Sequence, residues 1–178
     1  ISDKLACGAQ IILAQNGMGV AEALLAERDD LDIYCAITTD GVHSIAPFTI
    51  RRAGYGTTFL GRYPNDGNGD ASAELCRTLS NPVITLAGHR EIQSAQWEKL
   101  ALNSVINPLT AIYDIANGQL PGHTEAARQI APLCDEIACI ASASGQRLSA
   151  NLLQTRVAEI CHQTADNYSS MLQDLRFG

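Results

Sequence analysis

Apolar residues follow two rhythms along this chain, and the change from one to the other falls near His89. Through residues 1 to 89, short β-branched apolar runs alternate with Gly, Asn and Asp, the pattern of strands joined by turns. IILAQ (Ile11 to Gln15) predicts a buried strand, VAEALLAE (Val20 to Glu27) a short helix, and IYCAITT (Ile33 to Thr39) the next strand. That order is a strand, helix, strand unit, so the first half reads as α/β. HSIAPFTIRRAGYGTTFLGRY alternates like two further strands meeting near Gly54 and Gly56. YPNDGNGD then carries turn chemistry ahead of a helix over ASAELCRTLS, and VITLAG, from Val83 to Gly88, predicts a closing strand.

From residue 90 to 178 the β-branched runs give way to Ala, Leu, Gln and Glu, with apolar residues three and four apart. This is helical spacing. It predicts helices from Glu91 to about Ile115, from Thr124 to Ser144, and from Ser149 to the end, separated by the turn-prone stretches NGQLPGH and SGQRL. The boundary is expected at this change of rhythm, giving 1–89 and 90–178, and with no repeats and no low-complexity linker the two halves are expected to touch directly.

Composition narrows the function classes. At 178 residues and 46% hydrophobic, the chain can bury a core, as one domain or two small ones. The net charge of -7 comes from scattered acids, without the clustered Lys and Arg that nucleic acid or an anionic membrane would select. No apolar run approaches the roughly 20 residues of a membrane span, and ISDKLACGAQ lacks the flanks of a signal peptide. A cytoplasmic location is the expectation. The six cysteines include no CxxC pair and mostly sit in apolar periodic runs, so reduced, buried thiols are expected. The four histidines, His43, His89, His123 and His162, are too far apart for a zinc site and read as surface or capping residues.

NGMGVAE (Asn16 to Glu22) stands between a strand and a helix, where a dinucleotide fingerprint would lie. Gly17 and Gly19 fit its first two glycines, and Asp40 falls near the usual distance for a ribose carboxylate, but Glu22 replaces the third glycine. A carboxylate in the first helical turn would repel a pyrophosphate. An ordinary strand-to-helix turn, or a side-chain contact from Asn16, is the expected role.

Lys99, Asn103 and Asn107 recur every four residues on the long predicted helix, which keeps them within a face about 80° wide. Such a face often meets only solvent. Here Asn107 lies among Val105, Ile106, Leu109 and Ile112, beside Pro108, and an amide in that setting needs a partner. Ser170 and Asp174 share a face of the last helix, with Ser169 adjacent.

KLALNSVINPLTAIYDIANGQL (Lys99 to Leu120), with SSMLQDL and QNGMG, resembles the ketopantoate reductase family over nearly the whole chain. The resemblance implies a partial Rossmann-type NADP-binding domain followed by an all-α substrate domain of the 6-phosphogluconate dehydrogenase type. In that family NADPH reduces ketopantoate (2-dehydropantoate) to pantoate in pantothenate and coenzyme A synthesis, and a lysine protonates the forming alkoxide. The matching residue is Lys99. Substrate contacts match Asn103, Asn107 and Ser170, and Asn16 matches an asparagine where cofactor and substrate meet. Asn117 and Asp174 match further motif positions.

The same resemblance implies a GxGxxG loop upstream of Ile1 and a glutamate, in a motif like TEIDYING, downstream of Gly178. On this reading the segment is truncated at both ends and inactive alone, while its parent is an enzyme. Two alternatives stay open. One is a noncatalytic truncated descendant serving as a binding or assembly module, its exposed sheet edge covered in a homodimer. The other is a reductase of another small 2-oxo acid or a β-hydroxyacid enzyme.

Overall fold

Five successive residues of the IYCAITT run, Ile33 to Ile37, are buried, which marks a strand covered on both faces. This strand is β2 (Asp32–Thr38), an inner strand of a four-stranded sheet. The computed structural model describes residues 4–46, 48–65 and 69–177. It divides into two units, Ile1–Gln96 and Trp97–Gly178.

In the first unit β1 (Gln10–Leu13) leads through α1 (Val20–Glu27) to β2, and the hairpin strands β3 (Gly41–Ala46) and β4 (Thr49–Gly54) follow. Next come β5 (Thr58–Tyr63), α2 (Asp70–Leu79) and β6 (Leu86–Gly88). The sheet order is β1-β2-β5-β6, with β1 parallel to β2, β5 antiparallel to β2, and β6 parallel to β5. Side chains alternate across a strand, so Ile33, Cys35 and Ile37 pack with Ala21 of α1 and with Ile92, while Ala36 packs on the other face with Leu60 and Cys76 of α2. Beyond α2 that second face forms an apolar groove in which Ile12, Val42, Ile50, Val83 and Ile84 are exposed.

Two expectations for this unit need correction. HSIAPFTIRRAGYGTTFLGRY holds three strands rather than two: among the described residues β3 and β4 pair only with each other, and β5 joins the main sheet. The chain reverses near Phe48, whose φ of 58° is left-handed. VITLAG is a strand only over Leu86–Gly88. The amides of Val83 and Ile84 instead donate to Asn81 Oδ1 at 2.9 and 3.0 Å, an Asx turn that withholds them from the sheet. Asp66, Gly67 and Asn68 of the turn predicted over YPNDGNGD lie outside the described residues, as does the side chain of His43.

The second unit is helical. It contains most of α3 (Ile92–Tyr113), a 3-10 segment (Asn117–Gly122), α4 (Thr124–Ala143), α5 (Ala150–Gln163) and α6 (Ser170–Phe177). His123 and Ser149 cap α4 and α5 by accepting from the amides of Ala126 and Leu152. Ala101, Val105 and Leu109, four apart on α3, form the core with Leu120, Cys134, Leu153, Val157 and Cys161.

The helix predicted from Ser149 to the end is two helices. It stops at Gln163 because the following residues bind the 3-10 segment: the Asn117 and Gly118 amides donate to the carbonyls of Asn167 and Ala165 at 2.9 and 3.0 Å. A continuous helix would have spent those carbonyls on its own ladder.

The architecture is therefore a Rossmann-like α/β part followed by an all-α part. All six cysteines are unbridged, and Cys35, Cys76, Cys134 and Cys161 are buried. Among the described residues no helix is long and apolar enough to cross a membrane. Nor is any group of three or more His, Cys, Asp or Glu placed to hold a metal ion.

Candidate active site

Lys99, Asn103 and Asn107 all lie within α3 and are all half-buried. On a helical wheel they fall at about 0°, 40° and 80°, roughly opposite the core stripe of Ala101, Val105 and Leu109. A stripe facing only water would be exposed, so this face is partly enclosed. Burial lowers the pKa of Lys99 below the ordinary lysine value, because removing water disfavours the ammonium form.

Thr110 lies on the same stripe, about 20° from Lys99 on that wheel, and is fully buried. Its Oγ1 stands 2.7 Å from Ser169 Oγ, 2.8 Å from the Ile106 carbonyl and 3.0 Å from the Asn107 carbonyl. Each hydroxyl has one proton and two lone pairs. The network closes when Thr110 donates to a helix carbonyl and Ser169 donates to Thr110. Ser169 Oγ also accepts the Leu172 amide at 3.2 Å, which makes Ser169 the N-cap of α6. Ser170 is the first residue of that helix and is exposed.

A second tie fixes the far end of α6. Arg176 donates to Asp114 Oδ1 through Nε and Nη2 at 2.9 and 2.6 Å. Asp174 is exposed on α6. Asn117 is buried, and its Nδ2 donates to Thr164 Oγ1 at 2.9 Å. Its Oδ1 is buried without a hydrogen-bond partner among the described residues. Within the second unit, then, Lys99, Asn103 and Asn107 share one face of α3, the tie of Thr110 to Ser169 brings the start of α6 to that helix, and Asn117 joins the 3-10 segment to the end of α5.

Asn16 is exposed in the turn after β1, in the first unit. Gly17 and Gly19 have φ of 88° and 102°, with nothing within 4 Å of where a Cβ would stand. Glu22 is in the first turn of α1 and accepts from the Tyr63 hydroxyl at 2.6 Å. Asp40 accepts from the Gly56 amide at 3.0 Å and pairs with Arg52. These contacts pull its pKa below the usual carboxylate value, the Gly56 amide foremost.

Sequence reading missed Thr110 and Tyr63. Thr110 could have been found by extending the Lys99 stripe past Pro108. Tyr63 carries no such local signal.

The profile described as Ketopantoate reductase PanE/ApbA matches residues 1–65, and that described as Ketopantoate reductase PanE/ApbA C terminal matches residues 91–178. The chain is 34% identical to 2-dehydropantoate 2-reductase of Salmonella typhimurium over 176 residues, covering 99% of this chain and 55% of the relative. It is also 34% identical to the Halobacterium salinarum enzyme of that name, over 172 residues, covering 96% of this chain and 56% of the relative. The crystal structure of 2-dehydropantoate 2-reductase from Methylococcus capsulatus superposes with a TM-score of 0.78 at 25% identity, covering 98% of this chain and 55% of that one. D-mandelate dehydrogenase solved with NADH superposes with a TM-score of 0.81 at 22% identity, covering 94% of this chain and 56% of that one, a likeness of fold alone. The chain thus spans about half the length of the relatives it matches. With the two profiles in order along it, and relatives over a third identical aligned across nearly all of it, the chain belongs to the ketopantoate reductase family.

Proposed function

We propose that the full-length protein reduces the C2 ketone of ketopantoate to pantoate with NADPH, a step of pantothenate and coenzyme A synthesis. The observation that carries this reading is the half-buried stripe of one ammonium and two amides on α3, with the start of α6 tied beside it through Thr110 and Ser169.

Lys99 is the proton donor. Its depressed pKa makes the proton easier to release to an oxygen that gains negative charge, and its cation stabilises that charge until the proton moves. Asn103 and Asn107 offer amide donors and acceptors to the substrate's carboxylate and hydroxyl groups, and Ser170 adds a hydroxyl from α6. A fixed array of this kind lets a small polar acid bind in one orientation, with its ketone toward Lys99.

The turn after β1 fits one end of the cofactor. Gly17 and Gly19 leave the backbone open to a flat ring, and the exposed amide of Asn16 stands beside them. The pyrophosphate end does not fit this turn, because the Glu22 carboxylate stands in the first turn of α1. When bound, NADPH supplies hydride to the ketone carbon. Asn103, Asn107 and Ser170 hold that carbon in place, and Lys99 delivers the proton to its oxygen.

The test is to follow NADPH oxidation by the full-length protein across a panel of small 2-oxo acids. Ketopantoate is expected to give the highest kcat/KM. A clear preference for another acid, or for oxidation of a β-hydroxyacid, would move the protein to a different substrate, and no turnover of any would remove the catalytic reading.

A further inference from the structure

We propose that Thr110 is a positioning residue of the substrate site, fixing the start of α6, and with it Ser170, against α3 through Ser169. This inference rests on the functional reading above for what Ser170 touches, but the clamp itself is a matter of geometry.

The Thr110 and Ser169 hydroxyls are buried 2.7 Å apart, although the residues are 59 positions apart in sequence. Ser169 uses its other capacity to cap α6. One hydroxyl therefore fixes both where α6 starts and which part of α3 it starts against. Ser170 follows directly, so a loosened Ser169 leaves the Ser170 hydroxyl without a defined position. Because Thr110 is three residues beyond Asn107, the anchor lies about 4.5 Å along the helix from the last amide of the stripe. Within the described residues Arg176 and Asp114 hold the other end of α6 through an exposed ion pair, which salt weakens. The buried hydroxyl pair is shielded from that screening.

The experiment uses full-length protein carrying Thr110→Val, Thr110→Ser and Ser170→Ala, singly and with Thr110→Val combined with Ser170→Ala. Thr110→Val keeps the branched shape and removes the hydroxyl. It is expected to raise the KM for ketopantoate about tenfold, with kcat falling no more than about threefold and the KM for NADPH unchanged. Thr110→Ser is expected to return KM to within about twofold of the parent. In the Ser170→Ala background, Thr110→Val should add nothing, since both remove the same contact. Additive effects, an unchanged KM for ketopantoate, or equal rises in both KM values would overturn the proposal.

If Thr110→Val fails to fold, Ser169→Ala takes its place, because Thr110 then retains its Ile106 and Asn107 carbonyls; the same outcomes decide. If the parent protein does not turn over ketopantoate, the functional reading fails separately. Hydrogen exchange at the Leu172 amide then decides the clamp: exchange about tenfold faster in the variant, confined to α6, supports it, and unchanged or uniformly faster exchange overturns it.

Discussion

Tyr63 donates its phenolic proton to Glu22 over 2.6 Å, linking the last residue of β5 to the first turn of α1. Glu22 stands at the sequence position that the third glycine of a dinucleotide loop would take after Gly17 and Gly19. Burial, and then the Glu22 carboxylate, push the Tyr63 pKa up to about 12. A tyrosine whose folded pKa is raised contributes stability in full below its unfolded pKa, near 10.0, and loses it as pH rises through the folded value. Stability should therefore decline between pH about 10 and about 12. The decline should be shallower in Tyr63→Phe, as measured by urea unfolding at several alkaline pH values. An identical slope in the variant would contradict the pairing.

The Lys99 pKa is lowered by burial, so the proton-donating form should be lost earlier on the alkaline side than an ordinary lysine allows. The kcat/KM for ketopantoate in full-length protein is expected to fall with an apparent pKa below 10.5. A flat profile up to that value, with the protein still folded, would argue against Lys99 as the acid.

Gly118 lies against the end of α5. A Cβ there would meet Ala165 Cβ at 2.6 Å and Cα at 2.7 Å. Gly118→Ala should destabilise the second unit by about 1–3 kcal/mol, by pushing Ala165 off the 3-10 segment. Thermal or urea unfolding checks this, and no loss of stability would mean that residues 164 to 169 yield easily.

Asn117→Ala removes the bond to Thr164 but also removes the orphaned buried Oδ1. The two effects oppose, so a net loss of only about 1 kcal/mol is expected. If Asn117 instead touches substrate, KM for ketopantoate would rise well before stability falls, and kinetics with unfolding curves separates the two roles.

The groove bearing Ile12, Val42, Ile50, Val83 and Ile84 gives the segment of residues 1 to 178 a large apolar face. The segment by itself should bind a hydrophobic dye and self-associate at micromolar concentration. Ile50→Lys, outside the main sheet, should lessen both. A monomeric, dye-silent segment would contradict this.

Most elements were legible because their evidence is local. VAEALLAE reads as a helix between Gly19 and Arg28, and α1 has those bounds. The buried part of β2, Ile33 to Ile37, is an unbroken run of apolar and aromatic residues between Asp32 and Thr38. What escaped depends on distant partners. The alternation from His43 to Tyr63 breaks near Gly54 and Gly56, but nothing in it says that β3 and β4 leave the main sheet. The break between α5 and α6 exists because the 3-10 segment takes the carbonyls of Ala165 and Asn167, which no pattern inside those residues records. The site divides in the same way. Four-residue spacing gathered Lys99, Asn103 and Asn107, whereas the tie of Thr110 to Ser169 spans 59 positions and that of Tyr63 to Glu22 spans 41.

Protonation of the ketone oxygen by Lys99, as proposed, is measured most directly by the turnover of Lys99→Ala in the full-length protein with saturating NADPH and ketopantoate. The expected kcat is lower by about a hundredfold to ten-thousandfold, with the KM for NADPH near that of the parent. A kcat within about threefold of the parent would contradict it and place the proton donor elsewhere.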